Sequence, residues 1–147
     1  MAYSGLAIAD YFIEKAIEDK NPITNMLVLK MIYFTQGFAF SELGIRLIKD
    51  DFYAWKLGPV EVKTYKEFKK YESNKITDIS HKKNEELEKL KKKSDIVKFL
   101  DKIYTKLIGV NPLILSARTH EIDSPWYNTS LYEKIDSDII EEYFKEI

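Results

Sequence analysis

Apolar residues recur at helical spacing from the start of the chain: Ile8, Tyr11, Phe12, Ala16 and Ile17 share one face until Asp19-Lys20-Asn21-Pro22 interrupts it. Ser4 stands where an N-cap belongs. A second helix, capped by Thr24, is predicted to run to about Leu43. Between Asn25 and Ser41 its only charge is Lys30, so it is apolar nearly all round and must be surrounded by other elements. The pattern then changes. Ile45 to Ile48 and Phe52 to Trp55 flank Lys49-Asp50-Asp51, which predicts a small β-hairpin near 45–57. Gly58-Pro59 predicts a sharp corner with Pro59 at the first helical position, followed by a helix carrying Val60, Val62, Tyr65, Phe68 and Tyr71.

Residues 72–83 are polar apart from Ile76 and Ile79 and predict a mobile surface loop. Beyond it Leu87, Leu90, Val97, Leu100, Tyr104 and Leu107 keep one stripe over two helices meeting near Ser94-Asp95, ended by Gly109 and Pro112. A short helix at 112–120, a loop at 121–129 and a terminal amphipathic helix from Asp136 or Ser137 complete the reading. The expected fold is mainly α: a compact, single-domain helical bundle over 1–147 around the central apolar helix at about 24–43.

Composition narrows the function. With 147 residues, 45% of them hydrophobic, there is apolar material for one core, which argues against disorder and against a multi-domain enzyme. Lys plus Arg is 23 and Asp plus Glu 24, so the positive excess that phosphate-backbone binding draws on is missing. The absence of Cys excludes disulfides, thiolate metal sites and cysteine nucleophiles, and suits a reducing compartment. The N-terminus lacks a signal-peptide pattern, and the most apolar run, Met26 to Phe40, falls short of the roughly 20 residues of a spanning helix. A cytoplasmic protein without a membrane partner is expected.

Few residues offer chemistry. His120 lies within reach of Ser116, Glu121 and Asp123 in sequence, but without the Gly-rich corner of a nucleophile elbow. A histidine tying a loop to the core by hydrogen bonds is the preferred reading, with a small hydrolase or nuclease as the rival. Neither His120 nor His81 has a His partner at helical spacing, so no metal site is expected, and the unclustered glycines give no phosphate or dinucleotide loop and no cofactor. In 82–93 lysines alternate with glutamates, and Glu85 to Lys89 and Glu88 to Lys92 are i,i+4 pairs on a solvated face rather than a nucleic-acid site. Lys30 is more informative. Buried unpaired it would cost several kcal/mol, so it either snorkels to water or finds an acceptor, for which Asp50, Asp51 and Glu61 are candidates. Tyr33, Phe34 and Gly37 share its face, and Gly37 would admit a close backbone. Trp55 and Trp126 each adjoin a proline corner, as core plugs or as interface anchors.

Three segments together carry a resemblance: Leu29 to Phe38 with Lys30 and Tyr33; Ala54-Trp55-Lys56-Leu57-Gly58-Pro59-Val60 with Tyr65; and Leu115 to His120 with Ser124-Pro125-Trp126. In order and spacing they resemble the Panacea domain, also called SocA-like, of bacterial and phage antitoxins, long described as a domain of unknown function. The Ala-Trp-x-x-Gly-Pro-Val block with the later Thr-His and Pro-Trp is the more specific part. The family helix often reads Lys-Leu-Gln-Lys-Leu-Leu-Tyr-Phe, and here Leu27 and Leu29 replace its first Lys and its Gln.

The resemblance implies a non-catalytic domain that neutralises a cognate protein toxin, and in the founding member delivers it to a AAA+ protease. The motif positions present are Lys30, Tyr33, Trp55, Gly58, Pro59, Val60, Tyr65, Thr119, His120, Pro125 and Trp126. They are expected to converge into one groove or scaffold, with toxin specificity on 72–93 or the terminal helix. The leading reading is an antitoxin acting by direct binding, with or without homo-oligomerisation. The alternatives are a proteolytic adaptor, or a phage-encoded protein that binds a host protease, toxin or defence factor.

Overall fold

The computed structural model describes residues 2–147. The chain is mainly helical: α1 (Gly5–Glu18), α2 (Asn25–Phe38), α3 (Val62–Phe68), α4 (Asn84–Lys91), α5 (Ser94–Leu107), α6 (Pro112–Thr119) and α7 (Ser137–Glu146). Three short strands, β1 (Phe52–Trp55), β2 (Gly58–Val60) and β3 (Lys134–Ile135), form an antiparallel sheet in the order β2-β1-β3. Both expected N-caps are in place, Ser4 Oγ accepting from Ala7 N at 3.1 Å and Thr24 Oγ1 from Leu27 N at 3.2 Å. Asn111 caps α6 with Pro112 in its first turn, and Asp136 caps α7.

Helix α2 is the central element the apolar run demands. It packs against α1, α3, α5, α6, α7 and β2, and its buried positions extend round the helix. It continues through a π-helical turn at Ala39–Leu43, ended by Gly44 in the left-handed region at φ 67°. Gly37 receives a side chain rather than a backbone: the Phe144 ring of α7 sits where a Cβ would be, among Tyr33, Phe34 and Phe38.

Three expectations are corrected. The hairpin pairs 52–55 with 58–60 instead of 45–48 with 52–55, because Tyr3 captures the backbone on both sides of Ile48 and leaves 45–51 irregular. Helix α3 therefore starts at Val62, with Glu61 as its cap, and Pro59 and Val60 belong to β2. Residues 72–83 are pinned, not loose. Ile76 is fully buried with its N–H on Ile23 O, and the buried Asp10 carboxylate accepts from Ser80 N at 2.9 Å and Ser80 Oγ at 2.5 Å. Strand β3, which pairs with β1 across some eighty residues of chain, has no counterpart in the hydrophobic pattern.

Candidate functional site

Register in the β1–β2 hairpin pairs Trp55 with Gly58, so Lys56-Leu57 is a two-residue turn. Such a turn leaves the Leu57 carbonyl outside the ladder, and side chains from α2 and α6 take it, while a third segment reaches the carbonyl of Trp55 beside it. Leu57 O accepts from Lys30 Nζ of α2 and, at 2.7 Å, from Ser116 Oγ of α6. Trp55 O accepts from Trp126 Nε1 at 2.6 Å. Gly58 follows with φ +125°, and a Cβ there would lie 2.5 Å from Lys30 Nζ and 2.8 Å from Thr119 Oγ1. The glycine is required twice, by the backbone and by the close approach.

Behind the hairpin, α6 ends in a chain of short bonds. Thr119 Oγ1 donates to Ser116 O, and Ser124 Oγ donates to Thr119 O, each at 2.7 Å. Pro125 O accepts from Thr129 Oγ1 at 2.7 Å, closing the 121–129 loop under Trp126. His120 stacks on Trp126 with ring centroids 3.7 Å apart and 25° between planes. It holds the loop by this contact and not by the expected hydrogen bonds, since its buried Nε2 has no protein partner. Burial and the nearby Lys30 ammonium hold its pKa below the ordinary 6.5.

Lys30 is only 2% exposed, so it does not snorkel. None of the carboxylates named for it is its partner: Glu61 caps α3, Asp50 accepts from Gly5 N, and Asp51 pairs with Arg46. With a carbonyl in place of a counter-ion, burial pulls its pKa from 10.5 to about 8. The motif residues thus converge at one corner, with one exception. Tyr33 faces away, packed edge-on to Phe52, Phe34 and Phe144, and burial raises its phenol well above 10.0. Pro59 sits within β2 opposite Ala54, and Tyr65 of α3 stands edge-on to Trp55 at 4.8 Å.

Beside the corner opens a cleft of about 310 Å³ between α2, the hairpin and α3. Met26, Leu29, Val60, Trp55, Tyr65 and Tyr132 supply apolar wall, and Asn25 and Lys30 supply polar groups. Leu57 and Tyr132, 56% and 61% exposed, stand at its edge. Leu29, one of the two departures from the family helix, makes this wall apolar. The sequence did not single out Asn25, Leu57 or Tyr132 as functional, and it offered chemistry for Ser116 only within the rival hydrolytic cluster. Its spacing of three from Thr119 on one helix face was the available signal.

The hydrolytic cluster does not assemble. Ser116 Oγ is committed to Leu57 O, Glu121 pairs with Arg118 at 3.6 Å, and His120 meets Ser116 only through the helical backbone, its N–H on Ser116 O at 3.2 Å, with no bond from the Ser116 hydroxyl to the imidazole. Along 82–93 three of the six lysines are held in ion pairs: Lys82 with Glu67 at 2.6 Å, Lys89 with Glu85 at 3.7 Å, and Lys91 with Glu14 and Glu88. The expected Glu88 to Lys92 pair is replaced by Glu88 to Lys91. Among the described residues no group of His, Asp and Glu is arranged to hold a metal, and no helix is long and apolar enough to cross a membrane.

The segments that build this corner decide the family, because the domain described as "Antitoxin SocA-like, Panacea domain" matches residues 28–127. The chain belongs to that family. Its match takes in α2 from its first turn, the hairpin, and the α6 region through Trp126. The chain is also 36% identical over 62 residues to Antitoxin SocA of Caulobacter vibrioides (strain NA1000 / CB15N). That similarity covers 42% of this chain and 33% of the relative's length. No solved structure matches the chain.

Proposed function

We propose that this protein is an antitoxin that neutralises a cognate protein toxin by direct binding, as a non-catalytic module in the cytoplasm. Membership of an antitoxin family supports the class. The observation that carries the site is the hairpin corner. Its carbonyls are clamped by Lys30, Ser116 and Trp126, yet the tip residue Leu57 and the neighbouring Tyr132 remain exposed beside an open apolar cleft. A rigid, apolar, aromatic-edged feature is what a protein interface uses as an anchor. The hydroxyl, imidazole and carboxylates near His120 are bound elsewhere or unconnected, which favours binding over turnover.

The test is co-expression with the product of the adjacent open reading frame, scoring growth rescue and co-purification. Rescue with a stoichiometric complex is expected, and Leu57→Asp should abolish both while leaving the melting temperature unchanged. A toxic neighbour that is neither bound nor silenced overturns the reading. The adaptor alternative separates from direct blocking by toxin half-life: blocking leaves it unchanged or longer, whereas delivery to a AAA+ protease shortens it.

A further inference from the structure

The cleft beside the hairpin has two polar groups whose bonding capacity the fold leaves unspent. Asn25 is 6% exposed, and its amide nitrogen donates to Tyr65 O at 3.3 Å while its Oδ1 accepts nothing. Lys30 carries three donors and finds one acceptor, Leu57 O. Both lie on one stretch of α2, at its first and second turns, with Met26 and Leu29 between them on the cleft wall. Buried polar groups of a finished core are paired, and those of a ligand site wait for the ligand. Water can satisfy them, but it leaves Met26, Leu29, Val60 and the Trp55 and Tyr65 rings hydrated, a cost that an apolar body removes.

The cleft therefore asks for three things close together: an apolar side chain, an anionic acceptor for Lys30, and an N–H donor for Asn25 Oδ1. The other charges lining it are the exposed Lys56, which adds to the positive field on the hairpin side, and Glu72. At about 310 Å³ it sits at the small end of the roughly 300–1,000 Å³ typical of ligand pockets. That is room for a terminal residue and not for a helix. An apolar residue at a chain's carboxyl terminus offers all three groups within one residue: side chain, carboxylate and amide N–H. Capture of such termini is an established mode of peptide recognition. An internal acidic segment needs several residues to present the same set.

We propose that this cleft binds the carboxyl-terminal apolar residue of the toxin, its carboxylate on Lys30 and its amide N–H on Asn25 Oδ1. The identity of the occupant rests on the antitoxin reading; the chemistry of the cleft does not.

The first arm needs no toxin. N-acetyl-L-phenylalanine and its carboxamide are titrated into the protein and followed by amide NMR shifts. The acid is expected to perturb residues 25–30, 55–60 and 65 and to bind at least ten-fold more tightly than the carboxamide. Lys30→Met should weaken the acid at least ten-fold more than it weakens the carboxamide and so remove the acid's preference, a differential loss that general loss of structure does not produce. Met26→Trp, which fills the cleft from its half-buried edge, should abolish both. Equal affinity of acid and carboxamide, or shifts elsewhere on the molecule, overturns the proposal. In the second arm the toxin is extended by Gly-Ser-Gly at its carboxyl terminus and is expected to escape neutralisation. If the extended toxin is neutralised normally, the assigned occupant is wrong while the antitoxin reading stands. If the unextended toxin is not neutralised either, the antitoxin reading fails and takes the assigned occupant with it, and the acid-over-carboxamide preference is judged by the first arm alone.

Discussion

Replacing Lys30 with Met should stabilise this protein near neutral pH while weakening partner binding. The ammonium is 2% exposed and faces no carboxylate, and its pKa falls from 10.5 to about 8. At about 1.4 kcal/mol per pKa unit, keeping this charge buried costs about 3 kcal/mol. Methionine has similar length and shape, and Leu57 O retains Ser116 Oγ at 2.7 Å, so no carbonyl is orphaned. After the lost charged hydrogen bond is deducted, a net gain of about 1–2 kcal/mol is expected near pH 7.

The pH dependence gives an independent check. Below about 8 the group is protonated in both folded and unfolded chains, and the burial cost is present in full. Between about 8 and 10.5 the unfolded chain holds a proton that the folded one has released, so wild-type stability rises with pH. Above 10.0 the trend reverses: Tyr104 is pushed up to about 12 and Tyr11 and Tyr33 further, so the unfolded chain loses protons that the folded one keeps. Urea unfolding of both proteins at intervals from pH 7 to roughly pH 9.5 reads the effect. The wild type should gain stability over that interval and Lys30→Met should not. The His120 pKa, followed by NMR, should rise toward 6.5 in the variant, because one of its two depressing causes is removed. A variant destabilised by more than about 1 kcal/mol, or one that keeps the wild-type pH slope, would refute the reasoning.

Gly58→Ala should destabilise by about 2–4 kcal/mol in chemical denaturation, combining a strained φ of +125° with displacement of Lys30 Nζ and Thr119 Oγ1; an unchanged midpoint would mean the corner tolerates a Cβ. Gly37→Ala should cost about 1–3 kcal/mol, since a Cβ collides with the Phe144 ring, and hydrogen exchange should show α7 losing protection first. Gly109→Ala, where a Cβ meets nothing within 4 Å, is the matched control. Asp10→Ala removes both acceptors of Ser80, so residues 76–82 should exchange and be cleaved by protease faster, at a cost of about 1–3 kcal/mol. Acidification through the range below 6.5 should also reduce stability through His120, whose folded pKa is depressed, so that the unfolded chain binds the extra proton.

Local order was legible in the chain. The 3.6-residue stripes, the caps at Ser4 and Thr24, and Pro112 inside α6 act within one or two turns, so spacing alone encodes α1, α2, α5, α6 and α7. The near absence of charge from Asn25 to Ser41 likewise required a surrounded central helix. The family could be read from three short segments, because a Gly-Pro corner beside Trp55 and a Thr-His before Pro-Trp leave little freedom in spacing.

What only the tertiary structure decided were bonds between groups far apart in sequence. Lys30 meets Leu57 O across 27 residues, Ser116 meets the same carbonyl across 59, Ser80 meets Asp10 across 70, and Trp126 meets Trp55 across 71. A backbone carbonyl is present at every position, so nothing in the sequence marks Leu57 as the acceptor for Lys30 ahead of a carboxylate. Hairpin register has the same origin: Tyr3, far upstream, takes the pairing that Ile48 would otherwise offer to β1. Periodicity specifies which face is buried. The partner that each buried polar group finds there is fixed only when the faces come together.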